Sequence, residues 1–237
     1  MIAAFEELDW QSTPMGELTL RRRVDPSLDL EIFEVKLGEE YLMSSAFTVA
    51  EEALADLGLA VTSGESLRVL VGGLGLGYTA IAALRDARVA ALTVIDTLPA
   101  VIDWHQRGLL PVSAQLTGDA RTSLVLDDFF AVMRAAPGDA AAWDAILLDV
   151  DHSPRHQLDP SHADLYTVDG LHRLARHLVE RGVFALWSDD PPDEEFLVTM
   201  RAVFTDVEAH VVDFANALTG GVSSNTVYIG HLDRVEA

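Results

Sequence analysis

Cysteine is absent from the 237 residues, which excludes disulfides, thiolate metal centres and a cysteine nucleophile. That absence suits a cytoplasmic chain, the expected location, because structural disulfides are rare there. No apolar run approaches the roughly 20 residues that a membrane-spanning helix needs. The opening MIAAFEELDWQS carries acids at once and no basic segment, so no secretory leader is expected. Basic residues are scarce, 16 against 38 acidic ones, for a formal charge of −22. Such a surface repels phosphate backbones and anionic lipid, so neither nucleic acid nor a membrane is an expected partner. A small cationic substrate is attracted, although the same charge also serves plain solubility. The one basic cluster, Arg21 to Arg23, reads as the solvated edge of a strand. Repeats, low-complexity stretches and a G-x-S-x-G nucleophile turn are all missing.

Hydrophobic residues make up 49% of the chain, enough for a sizeable core without staples. Residues 1–47 read as a small β region. GELTLRRRV and LEIFEVKL alternate apolar and polar positions around the turn DPSLD, and GEEYLM adds a short strand. A helix follows over TVAEEALADLGLAV, with Thr48 and Glu51 spaced as a capping box. Residues 48–237 then form a second unit in which strands alternate with helices. The strands are LRVLVGG, ALTVID, SLVLDD, WDAILLDV and GVFALWS, and the helices include PAVIDWHQRGL, FFAVMRAA, VDGLHRLARHLVE and DEEFLVTMRAVF. Near-continuous apolar strands of this kind are buried on both faces of a parallel sheet. VEAHVVDFA and NTVYIGHL, joined by the Gly-rich LTGGVSS, close the sheet as an antiparallel hairpin at one edge. The expected fold is α/β, with a mostly parallel seven-stranded sheet.

In such sheets ligands sit beyond the carboxyl ends of the strands. Gly73, Gly75 and Gly77 mark the first of those ends, where missing side chains let a ligand touch the backbone. Asp96, nineteen positions past Gly77, ends the next strand with Thr97 after it. A carboxylate there can accept both hydroxyls of a ribose. Asp128, with Asp127 as its rival, ends the third strand and is placed to read an adenine edge; a helix cap is the alternative for each acid. The three elements together point to an adenosine-type ligand. The spacing G-x-G-x-G followed by Tyr78, with a closing hairpin, resembles the class I methyltransferase fold (Rossmann-like), whose ligand is S-adenosylmethionine or a relative.

VLVGGLGLGYT, VIDTLPAVIDWHQRGL, WDAILLDVDHSP, LYTVDGL and LWSDDPPDEEF extend the resemblance to the spermidine synthase family over most of the chain. Members of that family transfer an aminopropyl group from decarboxylated S-adenosylmethionine to a diamine. The resemblance implies that Asp149 and Asp151 are candidate catalytic groups, with Asp149 the first choice to take a proton from the amine. His152 joins them because an imidazole, with an ordinary pKa of about 6.5, can accept a proton. It implies nucleoside contacts from Gly73, Gly75, Leu76, Gly77, Asp96, Thr97, Asp127, Asp128 and Asp149. Glu52, Tyr166, Trp187 and Asp190 are the candidate residues for the amine, and a homodimer is implied as well.

Departures from the family pattern are specific. Leu76 replaces the acid that faces the aminopropyl arm, and His152 replaces the second loop acid. Gly16, Ala50 and Glu51 fall where the family has Gln, Tyr and His, leaving Glu52 as the match. A methyltransferase acting on a small molecule is therefore the alternative, and a non-catalytic nucleoside-binding scaffold is a third reading. His152, His156 and His162 share a loop with Asp149, Asp151 and Asp159. That set suits several divalent ions, but solvated histidines are the simpler reading and no metal is expected.

Overall fold

Alternation builds the first layer. A computed structural model describes residues 5–13, 16–26, 29–138, 142–216 and 220–233. Parts of the turns expected over 25–29 and 218–224 lie outside the described residues, as does the MIAA start. Strands β1 (Phe5–Thr13), β2 (Gly16–Asp25), β3 (Leu30–Leu37) and β4 (Glu40–Ser44) form an antiparallel sheet in that order. Leu18 and Leu20 on β2, with Phe33 and Val35 on β3, are buried. Because β2 is an inner strand, Arg21 to Arg23 are not the solvated edge expected. Arg22 pairs with Glu6 at 2.5 Å, and Arg23 with Glu34 at 2.9 Å, across the neighbouring strands.

Helix α1 (Val49–Val61) follows. The expected capping box does not form: the Thr48 hydroxyl donates to Glu52 Oε1 at 2.9 Å instead of capping the helix. Next come β5 (Leu67–Gly72), α2 (Tyr78–Arg85), β6 (Val89–Asp96), α3 (Pro99–Gln106), α4 (Ser113–Gly118), β7 (Thr122–Leu126), α5 (Phe129–Arg134) and β8 (Trp143–Leu148). A 3-10 turn (Pro160–Tyr166) leads to α6 (Val168–Ala175), β9 (Leu178–Ser188), α7 (Glu194–Arg201), β10 (Thr205–Asn216) and β11 (Gly221–His231). Leu178 to Glu180, expected to extend α6, belong to β9 instead. The His177 carbonyl accepts the Trp143 N–H at 2.8 Å and Leu178 pairs with Trp143, so the sheet captures the segment.

The larger sheet has the order β10-β11-β9-β8-β5-β6-β7. β5, β6, β7, β8 and β9 run parallel, while β11 is antiparallel to both β9 and β10. Strand side chains alternate between two cores. Val69, Val71 and Leu147 pack with α1, α2 and the buried face of the small sheet, whereas Leu70, Ile146 and Leu148 pack with α5, α6 and α7. The two sheets are pinned by Trp104 of α3, fully buried, whose indole N–H donates to Asp9 of β1 at 2.6 Å. The chain leaves β5 toward β6 on one side and returns as β8 on the other. That reversal opens a crevice at the carboxyl ends of β5 and β8, the place where open α/β sheets bind ligands.

Candidate active site

Beyond β5 the chain turns through Gly73, Gly75 and Gly77, with φ of 92°, 47° and 90°. A side chain at Gly73 would run into the carbonyl oxygen of Asp149, so only glycine lets the ends of β5 and β8 meet this closely. Two struts hold the turn. His105 of α3 donates from Nε2 to the Gly75 carbonyl at 3.0 Å, and the Ser113 hydroxyl lies 3.3 Å from its Nδ1. Burial lowers the His105 pKa, so this strut is a neutral imidazole. From the other side Asp96 accepts the Leu74 N–H on Oδ2 at 2.9 Å and the Leu98 N–H on Oδ1 at 2.8 Å. Burial raises the Asp96 pKa, and these N–H bonds oppose the rise. A carboxylate accepts about four hydrogen bonds, which leaves capacity toward the crevice.

A cavity of about 210 Å³ opens there, lined by Gly73, Asp96, Thr97, Asp128, Val150 and His162 among others. The His162 ring stacks on Phe130 with centroids 3.7 Å apart and planes 8° apart, giving this cavity a flat aromatic wall. Asp128 borders the cavity, but its Oδ1 caps α5 by accepting from Phe130 N at 2.8 Å and Ala131 N at 3.1 Å. Asp127 is exposed and does not line it; its carboxylate accepts the Asp128 N–H at 2.8 Å. The cap therefore describes Asp128 as the fold uses it.

A second cavity, of about 100 Å³, adjoins the first. Leu42 and Val150 are common to both. Its walls are Met43 of β4, the turn from Leu74 to Tyr78, Glu51 of α1, Asp149, His152 and Trp187. Asp149 Oδ2 accepts the Thr79 hydroxyl at 2.6 Å, and the same hydroxyl lies 3.2 Å from the Glu51 carbonyl. Burial pushes the Asp149 carboxyl up to about 6, the Thr79 bond opposing. Burial first, and then the neighbouring Asp149 charge, pushes Glu51 up to about 8. His152 reaches Glu40 Oε1 at 3.2 Å. Leu76 is buried against this cavity.

Four residues expected to meet substrate are engaged elsewhere. Asp151 is buried and lines neither cavity; its carboxylate accepts the Leu158 N–H at 2.8 Å, His162 Nδ1 at 2.8 Å and the Tyr166 hydroxyl at 2.7 Å. It organises the loop and has no free face for an amine. Tyr166 is buried in that same contact. Glu52 turns outward to Arg85 at 2.7 Å. Asp190 takes the Ser153 hydroxyl at 2.6 Å and His156 Nδ1 at 3.0 Å on the far side of the loop. Thr79, His105 and His162 are site residues that the sequence reading misses, whereas Glu51 enters it only as a departure, at the position of the family's His. Thr79 alone has a local signal, as a hydroxyl two positions beyond the last glycine of the turn.

The sheet order, the glycine turn at the reversal and the closing antiparallel pair define the class I methyltransferase fold, here behind a small β-sheet. No family model matches the sequence, and no curated protein matches it. Solved structures do match. Spermidine synthase from Thermotoga maritima superposes with a TM-score of 0.71 at 17% identity, covering 95% of this chain and 72% of that one. A spermidine synthase in complex with the transition state analogue AdoDATO gives 0.70 at 16%, with the same coverage. Human methyltransferase-like protein 13 in complex with SAH gives 0.52 at 18%, covering 80% of this chain and 82% of that one. At these identities the likeness establishes the fold.

Proposed function

We propose that the protein is a transferase that binds an adenosyl sulfonium nucleoside in the larger cavity and alkylates a small amine in the smaller one. In the leading reading the group moved is aminopropyl and the donor is decarboxylated S-adenosylmethionine. The observation that carries this is the junction of the two cavities: they share Leu42 and Val150, and Asp149 stands just across it. Structural relatives captured with AdoDATO and with SAH support an adenosyl ligand. The residues fit one. Asp96 has capacity left for the sugar hydroxyls, and the His162 ring, backed by Phe130, offers a face for a base.

When bound, such a nucleoside supplies a carbon made electrophilic by positively charged sulfur. The chain's own residues deal with the amine. An alkyl amine has a pKa near 10, like lysine, so it arrives as an ammonium. Asp149 holds that cation and is placed to draw off its proton; with its carboxyl raised to about 6 it is a stronger base than an ordinary aspartate. The freed nitrogen lone pair forms the new C–N bond as the C–S bond breaks, and the sulfur keeps the electron pair. Thr79 fixes the carboxylate during this exchange.

A methyltransferase on the same fold is the second reading, favoured by apolar Leu76 at the wall of the smaller cavity. Calorimetry with decarboxylated and ordinary S-adenosylmethionine, followed by mass spectrometry of mixtures with putrescine, separates the two. Tighter binding of the decarboxylated donor and an aminopropyl adduct are expected. Preference for the ordinary donor with only methylated products would move the assignment to the second reading. Binding of neither nucleoside would sink both.

A further inference from the structure

The smaller cavity holds a second carboxyl, at the position where the family pattern has His. Glu51 stands in the first turn of α1 and lines this cavity together with Asp149, while Glu52, about 100° further around the helix, pairs with Arg85. The groups whose charge bears on Glu51 come from three elements: Asp149 after β8, Asp189 after β9 and Glu52 of its own helix, all acids. Tyr78 also lines this cavity, with its hydroxyl bonded to Ser45, and His152, the one lining imidazole among the described residues, reaches Glu40. Among the described residues no arginine or lysine lines this cavity. Trp187, which also lines it, keeps its buried indole N–H without a hydrogen-bond partner among the described residues. Two carboxyls so placed among Leu42, Met43 and Leu76 resist ionising together. The pair retains a proton near neutrality, consistent with Glu51 pushed up to about 8 and Asp149 to about 6.

We propose that Glu51 is a second catalytic carboxyl, which receives the acceptor amine's ammonium together with Asp149 and takes up its proton. The inference rests on the transferase reading above and deepens it: the cavity selects a small cationic amine and disfavours an acceptor that carries a carboxylate. Entry of the ammonium first expels the proton stored on the pair to solvent. Glu51 then accepts a proton from the ammonium nitrogen, the neutral amine attacks the carbon on sulfur, and the C–S electron pair leaves with the thioether. The balance is one proton released per alkyl group transferred, with no further reactant.

The test is a proton count. Protein saturated with 5′-methylthioadenosine is titrated with putrescine at pH 7 in phosphate and in Tris, whose ionisation enthalpies differ. The wild-type protein should release close to one proton per amine bound, as linkage requires when a group held above pH 7 is forced to ionise. Glu51→Gln should bind the amine roughly tenfold more weakly, the loss of one charge contact, and release far less, with 5′-methylthioadenosine affinity unchanged. Glu51→Asp, which keeps the charge, should restore most of the release and covers the case in which the glutamine variant folds poorly. Equal proton release and amine affinity in wild type and Glu51→Gln, with the nucleoside bound by both, would overturn the role of Glu51 and leave the transferase reading standing. Failure of the wild-type protein to bind the nucleoside would remove both.

Discussion

Asp149 and Asp151 lie two positions apart and do opposite things. Asp149 is held by one hydroxyl and opens on a cavity; Asp151 is consumed by three internal donors. Asp149→Asn should therefore lower transfer by about 10²-fold or more while nucleoside binding, read by calorimetry, persists. Asp151→Ala should act on the fold instead. Breaking a buried, charge-assisted cluster costs on the order of 3 kcal/mol, visible as an earlier urea midpoint, and it frees the His162 ring so that nucleoside affinity also falls. Sequence could not separate these two acids, because a loop aspartate reads the same whether its side chain turns inward or outward. Asp96 was easier to find, since the end of a parallel strand after a glycine turn leaves a carboxylate one place to go.

At the scale of elements, the legible pieces were those with a strong local pattern. β5, β6, β8 and β9 announce themselves as apolar runs, and the glycines announce the turn. The end of α6 did not, because no glycine or proline separates Ala175 from Leu178, and only pairing with Trp143 decides where the strand starts. Glu51 falls at the position of the family's His, but that its carboxyl reaches the site was hidden for a related reason. Which side of α1 meets the site depends on how the helix docks over β8, β9 and β11, a tertiary fact without a local signature. The turn itself yields a sharp expectation. Gly73→Ala places a methyl group against the Asp149 carbonyl in a backbone conformation that costs a non-glycine residue about 1 kcal/mol or more. Loss of 5′-methylthioadenosine binding, with the far-ultraviolet circular dichroism preserved, is the expected result.

Taken whole, the molecule joins two sheets through a shared core and one buried indole hydrogen bond. Trp104→Phe keeps the apolar ring and removes the bond to Asp9; a loss of about 1–2 kcal/mol in urea unfolding should follow. Stability should also respond to pH in a defined direction. Glu51 and Asp149 keep protons in the folded state, to about 8 and about 6, that their ordinary values of 4.5 and 3.8 would surrender. Between about pH 4 and 8 the native state thus binds more protons than the unfolded chain, and raising the pH weakens it by roughly 1 kcal/mol per pH unit for each proton retained. Urea midpoints should fall from pH 6 to pH 8, and Glu51→Gln should flatten that decline.

Leu42 belongs to the small sheet yet borders both chambers, whereas Met43 beside it borders only the smaller one. One side chain thus works as a party wall. Trimming Leu42 to alanine should loosen donor and acceptor at once, seen as a rise in both Michaelis constants, while changes at Met43 retune the acceptor alone. On the proposed transferase reading, new acceptor preferences would arise through Met43 with the hold on the donor kept.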